Sequence, residues 1–266
     1  MTAAPRSLDI LVVGATGSVG RHVVDEALAQ GQRVRILVRD IARARRLPEG
    51  ARRELGDLTL PDTLSTAVAG VDAIVFTHGS DAGSRKVVED VDYGGVRNVL
   101  AALQPGQRPR IALMTAIGVT NRAGSYNRQT EAPDWKRRSE RLLRASGLPY
   151  TIVRPGWFDY NADDQLRPVF LQGDRRATGT PRDGVVSRRQ IARVLLASLG
   201  ALAAGRKTFE LVAEKGTEPN SFDALFAQLD ADPTGQIDGV RDPDNMPLSS
   251  EPKSVVEDLA RLARHL

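Results

Sequence analysis

The run Leu11-Val12-Val13-Gly14-Ala15-Thr16-Gly17-Ser18-Val19-Gly20 passes from a β-branched stretch through three glycines into an amphipathic segment. Gly14 can take a tight turn off a strand, Gly17 lets backbone approach a pyrophosphate with no Cβ in the way, and Gly20 lets the next helix lie close to a sheet. The backbone of Thr16, Ser18 and Val19 then lies at a helix start, where amides and the helix dipole favour a phosphate. A glycine triplet alone could be an ordinary strand-to-helix turn; the strand before it and the helix after it point to a nucleotide site. A second group stands at Leu37-Val38-Arg39-Asp40, with Arg39 nineteen residues after Gly20. A dinucleotide without a 2′-phosphate usually meets an acidic residue there. Arg39 instead offers a planar fork of donors to a phosphate, with Arg43 as support, while Asp40 suits the cap of the next helix. The expected cofactor is therefore NADP(H) in preference to NAD(H).

The elements that must position these groups are regular. Strands are expected at Leu8 to Val13, Arg33 to Val38, Arg53 to Leu55, Ala73 to Thr77, Arg110 to Thr115 and Tyr150 to Val153. Gly20, Val23, Val24, Ala27 and Leu28 paint one helical stripe, and Gly31 supplies its stop. Strands alternating with helices give an α/β fold, a doubly wound parallel sheet of the Rossmann type. Ligands of such sheets bind outside the carboxyl ends of the strands, so Thr77, His78 and Gly79 should pass under the cofactor; a solvated loop role for His78 stays open. Beyond Pro155 the alternation ends. A loop rich in Asp, Gly and Arg, a helix near Ser187 to Leu199 and a strand near Lys207 to Val212 suggest a small C-terminal substrate lobe, partly integrated with the core, dividing the chain into 1–155 and 156–266. The stretch Ala231 to Pro247, dense in Asp, Pro and Gly, is expected as an irregular surface excursion before a last helix, Lys253 to Arg264.

Composition removes several alternatives. No cysteine occurs among the 266 residues, which excludes disulfides and a thiolate nucleophile, and the three histidines are too scattered for a local metal site. No metal is expected. No apolar run approaches the roughly 20 residues that span a bilayer, and Met1 to Ser7 lacks the hydrophobic region of a secretory signal, so a cytoplasmic location is expected. The net charge of +4 comes from dispersed arginines without interleaved aromatics, a pattern that does not call for nucleic acid. Lys136-Arg137-Arg138 is interrupted by Glu140 and backed by Trp135, Leu142 and Leu143, which suggests one exposed face of a packed helix.

Several further segments complete a resemblance: Gly56-Asp57-Leu58, Val91-Asp92-Tyr93-Gly94-Gly95-Val96-Arg97-Asn98-Val99-Leu100, the helix Lys136 to Ala145, and Tyr150-Thr151-Ile152-Val153-Arg154-Pro155-Gly156. Together with the glycine loop, over roughly residues 8 to 200, the chain resembles the atypical, NmrA-like branch of the short-chain dehydrogenase/reductase superfamily and its NAD(P)H-binding relatives. The resemblance implies that Asp57 and the Leu58 backbone meet adenine, a turn or capping role for Asp57 staying open. It implies that Pro155, Gly156 and Trp157 lie at the nicotinamide end.

Reductases of that superfamily pair a tyrosine proton donor with a lysine four residues later, and a nearby Ser or Thr steadies the carbonyl. Lys136 stands where that lysine should be, with Thr115 in place of the serine. Ala132 occupies the tyrosine position. Lys136 could hold the nicotinamide ribose or make a surface pair with Glu140; Tyr126, Tyr160 and Asp159 are substitute donors of incorrect spacing. Trp157 and Phe158 could wall off a hydride path or simply pack. Two readings follow: an NADP(H)-dependent oxidoreductase acting on a quinone, flavin or carbonyl compound, and a noncatalytic NADP(H)-binding sensor. The expected partner is a small molecule, and a homodimer stays open.

Overall fold

A computed structural model describes residues 7–80 and 84–265, so the lead-in Met1 to Arg6 lies outside the described residues, as do the side chains of Arg43 and His265. The strands are β1 (Asp9–Val13), β2 (Arg33–Val38), β3 (Arg52–Leu55), β4 (Ala73–Phe76), β5 (Arg110–Met114), β6 (Tyr150–Pro155), β7 (Trp157–Phe158), β8 (Arg167–Leu171), β9 (Val185–Val186) and β10 (Lys207–Glu214). The helices are α1 (Gly20–Ala29), α2 (Ser65–Val68), α3 (Arg85–Val88), α4 (Gly94–Ala101), α5 (Ser125–Thr130), α6 (Ala132–Ala145), α7 (Arg188–Gly200), α8 (Asp223–Ala227) and α9 (Lys253–His265). Eight strands form one sheet in the order β3-β2-β1-β4-β5-β6-β10-β8, parallel except for β8. This is the doubly wound Rossmann-type sheet, and its reversal of strand order at β1 and β4 places the switch point beside the glycine turn.

Both faces are covered, so the central strands are apolar on both sides. Ile10 and Val12 join a layer with Val23, Val24 and Ala27 of α1 and Ile191, Val194 and Leu195 of α7. Leu11 and Val13 face the other way, into a layer with Val96 and Leu100 of α4, Leu142 and Leu143 of α6, and Val255 and Leu259 of α9. Ser187 caps α7 through a reciprocal bond with Gln190, which fixes where that helix starts.

The segment after Pro155 is more integrated than its sequence suggests. β10 pairs in parallel with β6, β8 closes the sheet edge antiparallel to β10, and α7 packs on the sheet beside α1. The boundary drawn at residue 155 therefore falls within one sheet. Outside that sheet's hydrogen bonding lies the pair of β7 with β9, whose Val186 still joins the core. β8 escapes the sequence because Arg167-Pro168-Val169-Phe170-Leu171 carries a proline, which a sheet tolerates at an edge.

One expectation about charge is corrected: the basic face of α6 is buried, and the irregular surface stretch 231–247 is most of its cover. Arg141 donates two hydrogen bonds to Asp238 at 2.9 and 2.7 Å, Arg137 reaches Asp238 at 3.1 Å, and Arg138 reaches Glu251 at 2.7 Å. Arg144 donates to Asp232 at 3.1 Å and to Thr208 at 2.7 Å. Arg154 of β6 grips Glu140 at 3.0 and 2.6 Å and Asp242 at 2.7 and 2.7 Å. Asp, Pro and Gly here build a strap that carries carboxylates to the helix.

Glu210 lies opposite Arg154 in the β10 to β6 register, yet its Oε1 is buried without a hydrogen bond. Burial pushes its carboxyl from 4.5 up to about 8, against the pull of Arg154 and with the push of Asp174 and Asp242. The folded chain thus keeps a proton that the unfolded chain releases, so its stability falls as pH rises through that window. Glu210→Gln, which mimics the protonated acid, should melt with the wild type near pH 5 and several degrees above it at about pH 8.5. Calorimetry at both values checks this; an unchanged gap between the two proteins would overturn it.

Candidate active site

The glycine turn is built as a cradle. Gly14 leaves β1 with φ of 87°, and a Cβ there would stand 2.5 Å from the His78 backbone nitrogen. A Cβ on Gly20 would meet the Gly14 carbonyl oxygen at 2.1 Å, so α1 lies as close to the turn as backbone allows. Thr16, Gly17 and Ser18 are exposed, and Val19 at the helix start makes no side-chain capping bond. The Arg21 amide is taken by the Gly17 carbonyl at 3.2 Å, and no side chain competes for the other amides of the first turn, which fits a bound diphosphate.

Arg39 follows β2 and is exposed; no hydrogen bond or ion pair of the described residues engages it. Asp40 caps the next turn by accepting from the Ala42 amide at 2.7 Å, as its position suggests. Asp57 uses one oxygen in a local turn, accepting from the Thr59 amide at 2.9 Å and the Thr59 hydroxyl at 2.8 Å, which leaves Oδ2 for a ligand. The Leu58 carbonyl accepts from Asn98 at 2.6 Å, tying this loop to α4.

At the end of β4, Thr77 donates its hydroxyl to the Val13 carbonyl at 3.1 Å and supports the glycine turn from behind. His78 is half-buried, with Nε2 at 3.0 Å from the Val91 carbonyl and Nδ1 buried without a partner. Burial lowers its pKa to about 4, although Asp92 pulls upward; Lys136 adds to the depression. His78 is thus neutral near pH 7, with Nε2–H donating and Nδ1 an unused acceptor. Gly79 is exposed beside it.

Past the ends of β5 and β6 opens a cavity of about 440 Å³, lined by Ala116, Tyr126, Lys136, Pro155, Gly156, Trp157 and Phe158 among others. Asp174 holds one wall by accepting from the amides of Gly118 and Thr120 at 2.6 and 2.8 Å. Asp183, itself in the lining, holds the turn at 178–179 by accepting from the amides of Thr178 and Gly179 at 2.7 and 2.8 Å. Those bonds outweigh desolvation and keep the Asp183 carboxyl below its ordinary range.

The sequence-derived donors divide. Thr115 is buried and donates its hydroxyl to Glu140 at 2.7 Å, which removes it from the carbonyl-steadying place expected of it. Asp159 is consumed by Arg188, whose backbone and side chain both donate to it. Desolvation raises the Asp159 carboxyl, but those bonds hold it low. Tyr160 packs edge-on against Trp157, with 6.0 Å between ring centres, and is largely exposed. Tyr126 does line the cavity with Lys136. Ala132 is buried as the first residue of α6. Lys136 does not pair with Glu140, which belongs to Arg154; its ammonium meets Asp92 instead. Asp92 is the residue that sequence reasoning missed. A carboxylate amid the apolar Val91, Tyr93, Val96 and Val99 was the available signal.

The sequence profile of the NAD(P)H-binding family matches residues 14–201, from the glycine turn to the end of α7. The chain belongs to that family. It is 31% identical over 211 residues to the photosystem II assembly factor Ycf39 of Cyanophora paradoxa, a match covering 78% of this chain and 64% of that one. It is 26% identical to sanguinarine reductase of Eschscholzia californica, over 86% of this chain and 98% of the relative. Among solved structures, a putative NAD-dependent epimerase/dehydratase from Bacillus halodurans superposes with a TM-score of 0.68 at 22% identity, covering 84% of this chain and 100% of that one. That likeness shows the same Rossmann-type fold. No helix among the described residues is long and apolar enough to cross a membrane.

Proposed function

We propose that this NAD(P)H-binding protein is an NADP(H)-dependent oxidoreductase acting on a small organic molecule, a quinone, flavin or carbonyl compound. The cavity beside Lys136 carries the reading: its volume of about 440 Å³ suits a small ligand, and it lies where the strand ends put the reactive end of a dinucleotide. The glycine turn would hold the diphosphate, Arg39 the 2′-phosphate, Asp57 and Leu58 the adenine, and Lys136 the nicotinamide ribose. When bound, NADP(H) supplies or accepts the hydride. Trp157 and Phe158 exclude water from one side of the cavity. With alanine in place of the usual tyrosine, acceptors that take their proton from water fit this site best.

A second reading, cofactor binding without turnover, is favoured by Ala132 and by the relative named as an assembly factor; the relative named as a reductase favours the first. Purified protein mixed with NADPH and a panel of quinones, flavins and carbonyl compounds separates them through loss of reduced-nicotinamide absorbance. Turnover of at least one quinone or flavin, faster with NADPH than with NADH, is expected. Tight NADPH binding with no turnover across the panel would count for the sensor.

A further inference from the structure

We infer that Asp92 is the positioning residue for Lys136, and that with Ser80 the two form a preset polar platform for the nicotinamide ribose. The inference rests on the cofactor reading above and goes beyond it by assigning the group that aims the lysine.

Asp92 belongs to a π-helical turn, Glu89–Tyr93, between α3 and α4. Such turns are rare and occur often at functional sites. Here two consecutive residues, Asp92 and Tyr93, are both buried. Tyr93 is anchored by donating to Asp258 at 2.9 Å and by packing on Trp135 with 5.4 Å between ring centres. Asp92 is turned toward the end of β4, where its Oδ2 accepts from the Ser80 amide at 3.1 Å and from the Ser80 hydroxyl. Its Oδ1 takes the Lys136 ammonium, brought in from α6.

The exposures of the pair are unequal. The Asp92 side chain is 1% exposed and that of Lys136 is 21% exposed, so the carboxylate is sealed in while the ammonium reaches the cavity. An ammonium has three donors. One is committed to Asp92, and the rest are available to ribose hydroxyls. Gly79 marks where a ligand would pass: a Cβ there would lie 3.3 Å from Lys136 Nζ and 3.5 Å from Asp92 Oδ1. A ligand crossing the exposed backbone of Gly79 therefore meets the pair. His78 closes the other flank, admitted because a Cβ on Gly95 would stand 2.9 Å from its ring nitrogen. A lysine on a flexible four-carbon stem gains most from such a holder, because its order is established before the cofactor arrives.

A double-mutant cycle on NADPH affinity tests the assignment, with Asp92→Asn, Lys136→Met and the combined variant titrated by calorimetry. Each single change should weaken NADPH about 10-fold, and the combination should be no weaker than Lys136→Met alone. A merely structural Asp92 would lower affinity in both backgrounds, giving roughly multiplied losses, and that outcome overturns the inference. So does an unchanged affinity in Asp92→Asn beside a weakened Lys136→Met. Unchanged affinity in Lys136→Met overturns the ribose reading itself and the inference with it. Should Asp92→Asn fail to fold, wild-type protein labelled with ¹³C in its five lysines decides the matter. The two ε-protons of Lys136, assigned by their loss in Lys136→Met, should give separate resonances without cofactor; one averaged resonance overturns the inference.

Discussion

Arg154→Met lowers the free energy of unfolding by about 3–5 kcal/mol, the range for removing one partner of a buried ion pair. Arg154 has no exposed surface and makes four charge-assisted bonds, two to Glu140 and two to Asp242. Methionine fills much of the volume but leaves Asp242 without its bonded cation and Glu140 with only the Arg144 guanidinium, at 3.4 Å. Asp242, though buried, sits well below the usual carboxylate range mainly because of Arg154. Without that guanidinium it takes up a proton more readily, so the deficit should narrow as pH falls from about 8 to 5. Urea unfolding at both values gives the measurement. A loss under about 1 kcal/mol, or one independent of pH, would show that the network carries little of the stability.

Arg39→Ala should raise the dissociation constant for NADPH about 30-fold and leave that for NADH within about two-fold. A charge-assisted bidentate contact to a phosphate contributes about 2 kcal/mol, which converts to that factor. The side chain is exposed and has no partner in the described residues to leave stranded, so the fold should be indifferent to its loss. Paired titrations with the two nucleotides decide it. Equal weakening of both would remove the case for phosphate recognition at the end of β2.

The part of the molecule legible in the sequence is the part governed by local rules. The glycine turn, α1 and the strands from β1 to β6 each carry their own periodicity and punctuation, and they fold where those signals place them. Asp40 capping the next turn is equally local. The rest depends on partners far along the chain. Nothing near Arg137, Arg141 or Arg144 announces that Asp238 and Asp232 will cover them, so a buried basic face looks like a solvated one. Lys136 has Glu140 one helical turn away, yet its carboxylate comes from Asp92, 44 residues earlier. Thr115 occupies the right strand end, but Glu140 claims its hydroxyl. Helical spacing shows which residues could meet on one element and is silent about a third element that arrives between them.

The strap over α6 sets an order of events during synthesis. Ribosomes release the arginines of α6 first, and the acids at 232, 238 and 251 that neutralise them emerge roughly a hundred residues later. Until then α6 can lay Leu142 and Leu143 on the sheet while its arginines stay in solvent. Native closure of that face therefore waits for the final stretch of translation.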